Sequence, residues 1–184
     1  PQQRRAVARS MLIAHDALHR QILGTRIFDW PDEAACAAFA ARLARANALW
    51  PSTFIALDGP LGAGKTTFAR HLLRALGVAG RIKSPTFAVL EPYEVQGGAV
   101  SHFDFYRFDD PREWADAGFR DLFAAPGLKL AEWPGKAAAV LPAPDLQLAI
   151  EPADDGSDAR RVAVHAFTLH GVELLAALPP PADR

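Results

Sequence analysis

The densest chemistry in this sequence lies in eight consecutive residues, Gly59-Pro60-Leu61-Gly62-Ala63-Gly64-Lys65-Thr66. Three glycines let the backbone curl until successive N–H groups converge on one anion. Lys65 adds a mobile ammonium suited to the outer phosphates of a nucleoside triphosphate, and Thr66 adds a hydroxyl suited to magnesium. The helix that must follow contributes its positive N-terminal end. Both flanks supply the setting such a loop requires. Thr53-Phe54-Ile55-Ala56-Leu57 is a short β-rich run that reads as a buried strand. Lys65 to Leu76 reads as a helix, with Phe68, Leu72 and Leu76 on one face and Gly77 as its stop. The expected phosphate-contacting set is Gly59, Leu61, Gly62, Ala63, Gly64, Lys65, Thr66 and Thr67.

A phosphate loop needs a carboxylate on the metal side, usually at the end of a neighbouring strand. Two acids qualify. Asp104 follows Ala99-Val100-Ser101-His102-Phe103, and Glu132 follows Leu128-Lys129-Leu130-Ala131. One can hold magnesium while the other orients or deprotonates water; spacing alone leaves the division open. Strand alternation puts His102 on the same face as Asp104. A hydrogen-bonded structural histidine is the expected role there, ahead of a proton carrier. Thr86, in Lys83-Ser84-Pro85-Thr86, is a candidate sensor of the terminal phosphate. Trp133 reads as packing.

The elements that must position these groups follow in order. Asp32 caps a helix whose Ala35, Phe39, Leu43 and Ala46 recur at helical spacing. After the loop and its helix, Phe87 to Val95 and Ala99 to Phe105 flank Gly97-Gly98 as a hairpin. Asp110-Pro111 opens a short helix. Leu128 to Ala131 is a strand, and Leu146 to Glu151 with Arg161 to Leu169 form a second hairpin across Asp154 to Asp158. This order predicts an α/β fold: a three-layer domain with a mixed, mainly parallel central sheet. Residues 1–24 are read as an extension with no assigned order, 25–178 as the domain and 179–184 as a loose tail.

Composition narrows the field. With 184 residues, 50% of them hydrophobic, the chain can bury a real core. Twenty Lys and Arg against 21 Asp and Glu argue against coating nucleic acid by charge. The single cysteine, Cys36, excludes an internal disulfide and a zinc cluster and reads as a buried structural thiol. No apolar run approaches the ~20 residues that span a bilayer, and no secretory pattern opens the chain. The expected compartment is the reducing cytoplasm. No Asn-Lys-x-Asp or Thr-Lys-x-Asp guanine-reading motif occurs, so ATP is favoured over GTP. Arg107, Arg112 and Arg120 are scattered and form no kinase-like lid.

Four blocks together resemble the TsaE family, the small ATPases of bacterial tRNA threonylcarbamoyladenosine biosynthesis. They are Leu57 to Thr67, Lys83-Ser84-Pro85-Thr86-Phe87, His102-Phe103-Asp104-Phe105-Tyr106-Arg107, and Glu132-Trp133-Pro134. The similarity runs from about Asp32 to about Thr168; residues 1–24 depart from it. The resemblance implies that Lys65 and Thr66 hold phosphate and magnesium, that Glu132 is the second metal-side ligand, and that Asp104 supports hydrolysis beside them. It implies a switch-like loop at Ser84-Pro85-Thr86, adenine near Asp32, and an arginine of the late hairpin near the nucleotide, best matched by Arg160 with Arg161 as its rival. ATP and Mg2+ are the implied cofactors. The implied partners are TsaB and TsaD, which link the chain indirectly to adenosine 37 of tRNA. In that setting ATP hydrolysis resets the complex, and the threonylcarbamoyl transfer belongs to TsaD. Two other readings compete: a small-molecule kinase using Asp104 as acceptor base, and a nucleotide-dependent binding module with almost no catalysis.

Overall fold

The computed structural model describes residues 21–46, 52–108 and 118–178. Seven strands and four helices follow in chain order: β1 (Gly24–Trp30), α1 (Glu33–Ala44), β2 (Ser52–Asp58), α2 (Lys65–Ala75), β3 (Leu90–Val95), β4 (Gly98–Asp104), α3 (Phe119–Ala124), β5 (Gly127–Glu132), β6 (Leu146–Pro152), β7 (Arg160–Ala166) and α4 (Leu169–Ala177). A 3₁₀ turn, Pro134–Ala137, follows β5.

The strands form one sheet in the order β1-β7-β6-β2-β5-β4-β3. The four middle strands, β6, β2, β5 and β4, pair in parallel, while both edges are antiparallel. The sheet is therefore mixed, as expected, and its parallel character is confined to the centre. Burial follows this arrangement. All six residues of β5 are buried, as are Thr53 to Leu57 of β2, because helices cover both faces of a parallel centre. The outer strands β1 and β7 alternate instead.

Alternation along β2 sends side chains into two cores. Ile55 and Leu57 join a cluster with Phe39 and Leu43 of α1 and Phe68 and Leu72 of α2. Phe54 and Ala56 join Phe103, Phe105 and Phe119 on the other side. Three layers result. Asp32 caps α1 as anticipated, its Oδ1 accepting from the Ala35 N–H at 2.8 Å. Gly77 stops α2 in the left-handed conformation, and the Val78 N–H reaches back to the Leu73 carbonyl.

Several boundaries differ from expectation. Gly24 to Trp30, left without an element, is a strand paired antiparallel to β7. The last strand ends at Ala166, not Leu169. Thr168 accepts from the Gly171 N–H and starts α4, while the Phe167 N–H bonds to the Asp145 carbonyl. The strand expected from Phe87 begins at Leu90, because Pro85 to Val89 folds into a turn closed by the Val89 N–H on the Pro85 carbonyl at 2.7 Å. Helix α3 had no counterpart in the sequence pattern. The helix expected at Asp110-Pro111 lies outside the described residues, as do residues 1–20 and 179–184.

Candidate functional site

The C-terminal ends of β2, β5 and β4 converge at the loop. This is where an open α/β sheet places its ligands. In the sheet register Leu57 is opposite Glu132, and Glu132 is opposite Asp104. The two acids singled out in the sequence are therefore immediate neighbours on adjacent parallel strands. Both are buried, Glu132 at 1% exposure and Asp104 at 3%.

The loop itself needs glycine at two points. At Gly59 φ is +141°, and a Cβ would stand 2.2 Å from the Ile150 carbonyl oxygen. At Gly64 φ is +105°, and this residue caps α2 with no side chain bonded to the first turn. The early N–H groups of α2 thus have no side-chain cap, which is the arrangement that attracts an anion.

Lys65 is buried and folded back on its own loop. Its ammonium donates to the carbonyls of Gly59 and Pro60 at 2.7 and 2.8 Å and lies 3.8 Å from the centre of the Trp133 ring. Such a desolvated cation–π contact is worth about 2 kcal/mol. Burial pushes the ammonium below its ordinary pKa, while Glu132, Asp58 and Asp104 pull it back up. Trp133 holds its place with φ at +56°, a left-handed conformation outside the range bulky residues favour, and its ring meets Tyr106 at 5.1 Å.

Each acid is held by two partners. Glu132 Oε2 accepts from the Thr66 hydroxyl at 2.7 Å, and Oε1 lies 3.0 Å from His102 Nε2. Asp104 Oδ2 accepts from the Thr86 hydroxyl at 2.8 Å, and Oδ1 accepts from the Tyr106 N–H at 2.9 Å. Thr86 is further bonded to Ser84 Oγ at 2.8 Å. The Ser84-Pro85-Thr86 loop is thereby tied to Asp104.

Two adjoining cavities share Ala63, Gly64 and Thr67. One, of about 260 Å³, is lined by Leu61 to Thr67, Thr86, Asp104, Tyr106, Glu132 and Trp133. The other, of about 480 Å³, is lined by Trp30, Asp32, Glu33, Ala34, Cys36, Ala63, Gly64, Thr67, Asp158 and Arg160. The first collects the acids, the hydroxyls and the ammonium. The second has an aromatic wall in Trp30, which stacks on Phe68 at 5.6 Å. Together they offer a smaller compartment beside the loop, where the acids and the ammonium meet, and a larger one against α1.

The sequence-selected residues divide between these cavities. Leu61, Gly62, Ala63, Gly64, Lys65, Thr66, Thr67, Thr86, Asp104 and Glu132 meet in the first; Asp32 and Arg160 line the second. Gly59 lines neither, but its carbonyl holds Lys65. Arg160 Nε donates to the Ala63 carbonyl at 2.9 Å, which joins β7 to the loop. Its rival Arg161 is exposed on the opposite face of the strand and lines neither cavity. His102 is buried and hydrogen-bonded to Glu132. Trp133 does pack, but against the Lys65 ammonium. Trp30, Tyr106 and Asp158 were missed, as was the place of Cys36 in the cavity wall. For Tyr106 and Trp133 the available signal was an aromatic residue just beyond a strand-end acid. The Cys36 thiol is pushed up to about 12, chiefly by burial, with Glu33 adding and Arg160 opposing. Among the described residues, no group of three or more His, Cys, Asp or Glu side chains is arranged to hold a metal by itself.

Fold and loop together define a P-loop-type α/β protein. A model of the family described as "Threonylcarbamoyl adenosine biosynthesis protein TsaE" matches residues 30–162. The chain belongs to the TsaE family. It is 40% identical over 121 residues to the tRNA threonylcarbamoyladenosine biosynthesis protein TsaE of Haemophilus influenzae, covering 66% of this chain and 75% of that one. It is 30% identical over 135 residues to the protein of the same description from Rickettsia felis, covering 73% and 78%. The crystal structure of Bacillus subtilis YdiB superposes with a TM-score of 0.66 at 27% identity, over 85% of this chain and 95% of that one.

Proposed function

We propose that this chain binds ATP with magnesium and hydrolyses it, and that hydrolysis serves the threonylcarbamoyladenosine modification of tRNA position 37 in company with TsaB and TsaD. The observation that carries the reading is the pairing of Asp104 with Glu132 across β4 and β5, with Glu132 bonded to the hydroxyl of Thr66. This donor set is all oxygen. It provides one or two carboxylates and a hydroxyl, the partial set magnesium uses when phosphates complete its shell. Thr66 and Glu132 would hold the ion, which when bound supplies neutralisation of phosphate charge.

The remaining roles belong to the chain. Lys65 exchanges the Gly59 and Pro60 carbonyls for phosphate oxygens. Asp104 orients the attacking water and accepts its proton. Thr86, already bonded to Asp104, reports the state of the terminal phosphate through its loop. The larger cavity takes the adenosine end, edged by Asp32 and Arg160. The missing guanine motif supports ATP over GTP. Among the described residues no helix is long and apolar enough to cross a membrane, and the cytoplasm is the proposed compartment. The threonylcarbamoyl transfer is assigned to TsaD and not to this chain.

The test is steady-state ATP hydrolysis by the isolated chain and by the chain mixed with TsaB and TsaD. Slow turnover alone and faster turnover with both partners is expected, since among the described residues no arginine lines the cavity that holds Asp104 and Glu132. Fast turnover indifferent to the partners would overturn the reading.

A further inference from the structure

We propose that His102 is a positioning residue: its ring fixes Glu132 so that a single carboxylate oxygen faces the phosphate loop, and the affinity of the site for magnesium depends on it. The inference rests on the reading of Glu132 as a metal-side carboxylate. His102 lies at 0% exposure in β4, between β5 and the edge strand β3. Its Nε2 is 3.0 Å from Glu132 Oε1, while Oε2 takes the Thr66 hydroxyl. The two oxygens of one carboxylate therefore have separate assignments.

The other ring nitrogen sharpens the point. His102 Nδ1 is buried with no hydrogen-bond partner among the described residues. A histidine whose only role was to be satisfied in a core would engage both nitrogens. Among the described residues Nδ1 has no partner, and Nε2 is directed at Glu132. An accepting Oε1 calls for the hydrogen on Nε2.

Lys65 shows what the arrangement prevents. Its buried ammonium feels Glu132 electrostatically, yet it donates to the carbonyls of Gly59 and Pro60. A carboxylate free to swing would compete with phosphate for that ammonium. Holding Oε1 to the strand behind it keeps Glu132 beside Thr66 and leaves Lys65 available. The outer partners of metal-binding carboxylates commonly act this way, and their loss costs about 10- to 100-fold in metal affinity.

The experiment compares His102→Gln, His102→Asn and His102→Leu. A glutamine amide nitrogen extends as far as histidine Nε2; an asparagine amide nitrogen reaches only as far as Nδ1. Binding of a fluorescent ATP analogue is measured in EDTA and across a magnesium titration, with thermal unfolding to verify folding. His102→Asn and His102→Leu are expected to need about 10- to 100-fold more magnesium while binding nucleotide normally in EDTA; His102→Gln is expected to stay close to the wild type. Equal magnesium requirements in wild type and His102→Leu would overturn this inference alone. Equal losses in Gln and Asn variants would overturn it too, since shape and not the donor would then matter. A wild-type affinity that ignores magnesium would overturn the site reading with it. Nitrogen-15 shifts of the wild-type ring give a check that needs no variant: Nε2 protonated and Nδ1 bare is expected, and the opposite tautomer overturns the proposal.

Discussion

The two cavities beside the loop are built on different plans. The smaller one is made from strand ends, and its polar groups are already engaged: Glu132 with Thr66 and His102, Asp104 with Thr86 and Tyr106, Lys65 with two carbonyls and Trp133. The larger one is made from pieces far apart in the chain, namely the end of β1, the start of α1, the loop and the start of β7. It is walled by an aromatic ring, and Arg160 ties β7 to the loop through the Ala63 carbonyl. The difference teaches that the smaller compartment, with the two acids and the ammonium, is preorganised by the sheet, whereas the larger compartment is assembled by an antiparallel edge. Chemistry should be lost by damage to the first, and affinity by damage to the second.

Three substitutions test that division. The largest effect is expected from Asp104→Asn. It keeps the shape and one of the two accepting oxygens but removes the base, so hydrolysis should fall about 10²- to 10⁴-fold, with ATP affinity little changed, in paired turnover and binding assays. A parallel collapse of binding would mean that the acid holds the ligand instead. A smaller effect is expected from Arg160→Ala. It removes one charge-assisted contact, so affinity should weaken about tenfold, while turnover at saturating ATP is unchanged. A drop in saturated turnover would erase the distinction between the two compartments.

The smallest effect concerns Cys36. An unfolded thiol titrates near 9.0, but the folded one is pushed up to about 12. Between those values the folded state keeps a proton that the unfolded state has released, so stability falls as pH rises through this window. Below it the thiol contributes no pH dependence. Cys36→Ala should therefore flatten the alkaline limb of a urea-unfolding profile, and the native thiol should resist alkylation at pH 8.

What the sequence revealed follows the same divide. The loop, Asp104 and Glu132 were legible because each sits in a short contiguous block whose local pattern states its own conformation: a strand, then an acid or a glycine turn; for Thr86 the spacing left a phosphate sensor and an ordinary strand-start threonine equally open. That Asp104 and Glu132 stand opposite each other was not legible; it comes from the parallel register of β4 on β5. The wall of the larger cavity was not legible. Trp30 belongs to a strand that alternates only at its inner end, and that strand is defined by a partner far along the chain. Arg160 could be separated from Arg161 only by knowing which face of β7 met the loop. Helix α4 was lost inside an apolar stretch where strand and helix patterns coincide, and Thr168 as its cap decides the matter only with Asp145 nearby.

The antiparallel seam between β1 and β7 has a consequence in time as well as in space. Its contacts close a long loop; Thr25 and His165 are hydrogen-bonded across 140 positions. Closure at that separation is entropically the costliest in the sheet and belongs late in folding. As the chain emerges from the ribosome, the first strand waits unpaired until almost the last has been synthesised. The phosphate loop and both acids are in hand well before that moment, so the chain acquires its reactive groups first and the wall beside Trp30 last.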